Sequence, residues 1–171
     1  MFFSTNVVAE GVVPKVAAMA GKNHGDARKA VALLAQSAYL AEKAGTKITL
    51  DLVEQAGIDI EQDKYISMIQ AAPTQLQLAL WSAIKAVNSS SKNICTTGQT
   101  FDTYIQLCKQ TSNRSLTARA FSDLIAELDM YTFLRSKISS RGRYGRTREI
   151  SIGLPSELEK KLLSTIQNNF L

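Results

Sequence analysis

The sequence predicts a mainly α-helical protein with one small β-hairpin, arranged as a short helical bundle followed by a helix-turn-helix. Three observations predict it. Apolar residues recur at helical spacing in several segments that begin or end at capping residues. Two alternating runs, FLRSKISS and TREISIGL, flank the glycine-bearing stretch RGRYGR. The residues from Pro73 onward then read as helix, short strand, helix, turn, helix, hairpin.

The bundle comes first. After Pro14, VAAMAG gives a short apolar helix that stops near Gly21. Asp26 is placed to cap DARKAVALLAQSAYLAEKAG, where Ala30, Val31, Leu34, Ala38 and Ala41 follow helical spacing and Gly45 suits a C-cap. Thr49 is placed to cap LDLVEQA, with Asp51 in the first turn where the helix dipole favours an acid. Ile60, Ile66 and Ile69 carry the pattern on toward Ala72. Residues 1–72 form one module on this reading and residues 73–171 a second.

In the second module Leu76, Leu80, Ile84 and Val87 share one helix face, which runs out at NSSSKN. Asn93, Ile94 and Cys95 read as a short strand. Phe101, Tyr104, Ile105 and Cys108 mark a second helix, and Thr111 to Asn113 a turn. Ser115 is taken as the cap of a third helix whose buried face is Phe121, Leu124, Ile125 and Leu128. The hairpin follows, with Gly142 and Gly145 at turn positions, and Pro155 opens a last helix, SELEKKLLSTI. A helix-turn-helix with a hairpin attached, here over about residues 73–154, is a winged helix.

Composition narrows the function. The 171 residues fit one ordinary domain or two small ones, and 45% hydrophobic with 20% charged residues is globular. No run of about 18 apolar residues exists to span a membrane. The start, MFFSTNVVAEGVVPK, lacks the basic region and apolar core of a secretory signal. Cys95 and Cys108 suit a reducing cytosol, so a cytoplasmic, nucleoid-associated location is expected. No GxxxxGK[ST] is present, and a single His without ligand spacing, His24, supports neither a metal site nor a Ser-His-Asp set. No catalytic residue, metal or cofactor is expected in this chain, which reads as a binding protein and not an enzyme.

The net charge of +5 is concentrated. Residues 1–130 and 151–171 are each balanced, whereas residues 131–150 hold Arg135, Lys137, Arg141, Arg143, Arg146 and Arg148 against Glu149 alone. A concentrated basic stripe is an electrostatic footprint for a polyanion, and arginine favours bidentate phosphate or base-edge contacts. In a helix-turn-helix the third helix enters the major groove with its N-terminal half. The helical wheel turns Ser115, Arg119, Ser122 and Asp123 outward. Arg119 is then the base-edge candidate, and Arg114, Ser115 and Thr117 sit where phosphate is favoured. An ordinary ion pair of Arg119 with Asp123 is the rival reading. Arg141, Gly142, Arg143, Tyr144 and Arg146 make the wing that reaches the minor groove or its phosphates. A winged-helix transcriptional regulator and a winged-helix protein-interaction module are alternative readings.

HGDARKA followed by a long apolar helix, then FSDLIAELDM and SRGRYGRTREISI, resembles the archaeal origin-recognition and cell-division-control replication initiators. The resemblance runs from about Val12 to the last helix. It implies an AAA+ lid up to about residue 70 and an origin-binding winged helix after it. Arg28 would be the sensor-two arginine, which reaches nucleotide phosphates in an intact initiator. ATP or ADP with Mg is implied only together with an AAA+ core, so the chain reads as a C-terminal fragment or a truncated paralogue. The implied partner is double-stranded DNA with origin repeats, with other initiator subunits or the replicative helicase as further candidates and no membrane. Thr132 stands where the family often has glycine, between the third helix and the first wing strand.

Overall fold

The structure, a computed structural model, describes residues 7–21, 27–140 and 146–170. The chain divides into two compact units, Met1–Tyr65 and Ile66–Leu171.

The first unit is built from α1 (Val12–Gly21), α2 (Ala27–Ala44) and the greater part of α3 (Leu50–Gln70). Pro14 stands inside the first turn of α1, where its missing N–H removes no helical bond. On α2 the buried residues are Leu33, Ser37 and Ala41, and the Ser37 hydroxyl donates to the Leu33 carbonyl at 2.6 Å. Val31, expected on that face, is 68% exposed. The expected stripe is therefore displaced toward Leu33, with Ala30, Leu34 and Ala38 packed at its margin. Gly45 ends α2 at φ +63°, and the Thr46 N–H reaches the Ala41 carbonyl at 3.0 Å, which closes a Schellman cap. Asp26 and His24 lie outside the described residues.

Thr49 caps α3 as expected, accepting from the Leu52 N–H at 3.4 Å. The helix then runs unbroken through Gly57, where a Cβ would stand 2.8 Å from the Met19 Cε of α1. Glycine there permits close packing and does not end the helix. Val12, Val16, Leu33, Ala41, Ile48 and Val53 form the core of this unit. The Lys15–Glu54 ion pair on its surface, 2.6 Å, is exposed enough to contribute little.

The second unit is organised round α4 (Thr74–Ser89). Its nine residues Leu76 to Ile84 are all buried, so the helix is covered on every side instead of along one stripe. Buried Gln77 is satisfied by donating to the Ala72 carbonyl (2.8 Å) and accepting from Asn169 Nδ2 (3.0 Å). Around α4 lie β1 (Cys95–Thr96), α5 (Thr97–Gln110), α6 (Ala118–Met130), β2 (Leu134–Ser140), β3 (Arg146–Ile152) and α7 (Ser156–Phe170). The expected strand is shifted: it covers Cys95 and Thr96, because Asn93 turns the chain at φ +52° and Ile94 is exposed. The sheet is antiparallel in the order β1-β3-β2. Phe101, Tyr104 and Phe121 stack where α5 meets α6, with ring centroids 4.7–5.9 Å apart. The order from α4 to β3 is the winged helix predicted above.

Candidate nucleic-acid interface

Two consecutive caps set the angle of the helix-turn-helix. A capping box starts α5: the Thr96 hydroxyl accepts from the Gln99 N–H, and the Gln99 side chain accepts from the Thr96 N–H. A Schellman cap ends it, with Ser112 at φ +55° and the Asn113 N–H on the Cys108 carbonyl at 2.8 Å. The chain then runs from Arg114 to Thr117 before α6 begins.

Ser115 does not cap α6. Thr117 does, accepting from the Ala120 N–H at 3.3 Å with an extended backbone. The segment that precedes this cap is held by non-local bonds. Tyr104 of α5 accepts from the Leu116 N–H at 3.1 Å and donates to Gln75 Oε1, while Gln75 Nε2 donates to the Arg114 carbonyl at 3.0 Å. Those bonds tie the residues just before the Thr117 cap to α4 and α5. Burial pushes the Tyr104 phenol up to about 12, the Leu116 N–H opposing it, so the hydroxyl stays protonated and able to donate.

On α6, Phe121, Ile125 and Leu128 are buried and Leu124 is partly so. Arg114, Ser115, Thr117, Arg119 and Asp123 are exposed, and Ser122 is half-buried. Among the described residues no ion pair joins Arg119 to Asp123. The helix ends in a third Schellman cap, with Thr132 at φ +63°, Thr132 N–H on the Asp129 carbonyl (2.9 Å) and Phe133 N–H on the Leu128 carbonyl (3.0 Å). Thr132 thus takes a left-handed angle at the position where the resembled family often has glycine.

Asp129 then ties α6 to the wing. Its carboxylate accepts from the Ser136 hydroxyl at 2.6 Å and the Ser136 N–H at 3.2 Å. In the wing, Arg135 pairs with Ser151, Lys137 with Glu149, Ile138 with Arg148 and Ser136 with Ile150. Residues alternate between faces along a strand, so Arg148 shares its face with buried Ile150, while Lys137 and Glu149 share the other. Arg146 opens β3 opposite Ser140. Arg141, Gly142, Arg143 and Tyr144 lie outside the described residues.

Gln75, Tyr104 and Asp129 were missed from sequence because their roles depend on contacts across the fold. Arg148 had a legible signal: it alternates with Ile150 and Ile152, which places it on the inner strand face. Cys95 and Cys108 are buried free thiols, and burial pushes both up, so neither is a poised nucleophile.

In the first unit Arg28 is exposed at the start of α2 and borders a cavity of about 720 Å³. Lys29 and Lys64 line it, and so do Glu54, Glu61 and apolar side chains. Acids interspersed among the cations, with no phosphate-cradling loop in the sequence, do not fit a nucleotide by themselves. No helix among the described residues is long and apolar enough to cross a membrane.

The family model described as "CDC6, C terminal winged helix domain" matches residues 67–161, more than half of the chain. The chain belongs to the Cdc6 family. A second model, the Cdc6 AAA+ ATPase-type lid domain, matches residues 1–58. Among curated relatives of this Cdc6-family chain, an ORC1-type DNA replication protein of Sulfurisphaera tokodaii is 35% identical over 163 residues, 95% of this chain and 41% of that protein. One from Pyrococcus furiosus is 40% identical over 155 residues, 90% of this chain and 37% of that protein. The chain thus spans about two-fifths of the length of these relatives. The solved structure of Aeropyrum pernix ORC1 in complex with DNA superposes with a TM-score of 0.76 at 31% identity, covering 98% of this chain and 43% of that one. The matched parts are the lid and the winged helix of the family.

Proposed function

We propose that this chain binds double-stranded DNA at replication origins as the C-terminal part of an archaeal initiator. The N-terminal half of α6 lies in the major groove and the β2–β3 wing in the adjacent minor groove. One observation carries the reading: the +5 excess sits wholly in residues 131–150, a stretch that includes β2, which Asp129 ties to α6, and most of β3. The DNA complex of the Aeropyrum pernix relative supports it. Arg119, exposed and without an ion pair among the described residues, reads a base edge. Arg114, Ser115 and Thr117 meet phosphates, Ser122 supports them, and Arg141, Gly142, Arg143, Tyr144 and Arg146 follow the minor groove. The chain is a binding module on this reading and hydrolyses nothing itself. A nucleotide role for Arg28 belongs to an intact initiator, with an AAA+ core supplying the rest of the site and other initiator subunits or the replicative helicase as partners.

The test is an anisotropy titration of the chain against origin-repeat and random duplexes at two salt concentrations. Binding to both is expected, tighter to the repeat and weakening steeply with salt. Arg119→Ala should cost about 1–3 kcal/mol on the repeat and little on random sequence. Equal losses on both would make Arg119 a phosphate contact, and failure to bind any duplex at low salt would overturn the reading.

A further inference from the structure

Between the wing and α6 lies a cavity of about 280 Å³ lined by Thr97, Ser122, Ile138, Thr147 and Arg148. Arg148 belongs to the inner strand face, and its Nη1 is buried without a hydrogen-bond partner among the described residues. A guanidinium offers five N–H donors and no acceptor, and a buried donor of this kind is nearly always paired. Among the described residues the lining holds this cation, three hydroxyl residues and one apolar side chain, but no carboxylate. The neighbouring acid, Glu149, sits on the other strand face opposite Lys137. The Thr97 hydroxyl is already committed, donating to the Arg148 carbonyl at 3.4 Å, which fixes the first residue of α5 against β3. Ser122 lies one turn along α6 from Arg119, on the flank that faces the wing.

We infer that this cavity is a built oxyanion site that grips one phosphate of the DNA backbone, with Arg148 as the principal donor and the Ser122 hydroxyl as the second. The inference rests on the double-stranded-DNA reading above. A sugar-phosphate strand separates the major groove from the minor, so a protein that enters both must straddle it. The cavity stands at that crossing, between the helix assigned to one groove and the strands assigned to the other. Arg148 therefore fixes the register of the protein on the duplex and carries no sequence information.

A set of duplexes, each with one backbone phosphate replaced by an uncharged methylphosphonate, tests this with the whole chain. For the wild type, one phosphate between the two groove contacts should be sensitive. Arg148→Met should weaken binding about tenfold on origin and random duplexes alike, and lower the log–log salt slope by about one. In that variant the methylphosphonate at the sensitive position should cost nothing further, while the others keep their effect. Ser122→Ala, a smaller and half-exposed change, should show the same coupling at the same phosphate with a loss of a few-fold, so the test survives if Arg148→Met does not fold. Additive losses at every position, or an unchanged slope in Arg148→Met, would overturn the phosphate site while leaving DNA binding intact. A wild type that binds no duplex would overturn both.

Discussion

Thr132 shows what one backbone angle costs. A β-branched residue at φ +63° is strained, because its Cβ crowds the neighbouring backbone, by roughly 1–2 kcal/mol. The Schellman cap of α6 requires that angle, so the site is one for glycine. Glycine carries its own entropic cost of about 0.5–1 kcal/mol, which returns part of the gain. Thr132→Gly should therefore raise stability by up to about 1 kcal/mol, read as a rise of a few degrees in Tm. No rise would mean that contacts of the threonine side chain offset the strain. Tyr104 makes a different residue-scale claim, about pH. Its phenol titrates near 10 when unfolded and near 12 in the fold, so folding favours the protonated form. Below pH 10 that contribution is fully present. As pH rises from 10 through 12 the unfolded chain loses the proton first, and the contribution is lost. Chemical denaturation of the wild type and Tyr104→Phe should show a stability difference that shrinks across this window. A constant difference would mean that the hydroxyl is not held protonated by its burial.

At the scale of elements, the start of α6 separates what is legible in a sequence from what is not. Ser115 and Thr117 are both good N-cap residues in a plausible place, and no window of local sequence distinguishes them. What the structure adds is non-local: Tyr104, twelve residues upstream, takes the Leu116 N–H, and Gln75 takes the Arg114 carbonyl, which anchors the segment ahead of the Thr117 cap. Thr117→Ala should thus cost about 1 kcal/mol in urea denaturation and Ser115→Ala close to nothing. The reverse order would show that α6 begins where the sequence first suggested. The same physics explains the other displacements. Val31 and Leu33 are equally apolar, and only the position of α1 and α3 decides which is buried. Gly57 lies inside α3 where Met19 packs against it, a contact that no local sequence window shows. The elements themselves were legible from spacing and caps: the hairpin from its alternation, α4 from Leu76, Leu80, Ile84 and Val87, and the end of α2 from Gly45. Residue-level pairings such as Asp129 with Ser136 were not, because they form only once α6 and β2 have packed.

For the whole molecule the question is which of the six basic residues in 131–150 act on a polyanion, since charge counting treats them alike. The strand register does not. Lys137 faces Glu149 across the sheet, and that acid offsets it locally. Arg148 is turned inward toward α6. Arg143 and Arg146 lie at and beside the sequence-predicted tip, with no acid within it. Release of counterions depends on the phosphates that are neutralised, so removing charges that touch none leaves the salt dependence unchanged. Arg143→Ala combined with Arg146→Ala should weaken binding to every duplex and flatten the log–log salt slope by up to about 2. Lys137→Ala should change it by well under 1, because its charge is balanced whether or not DNA is near. If the Lys137 variant lost as much slope as the double variant, the basic segment would act as a diffuse cloud and not as a wing docked in a groove.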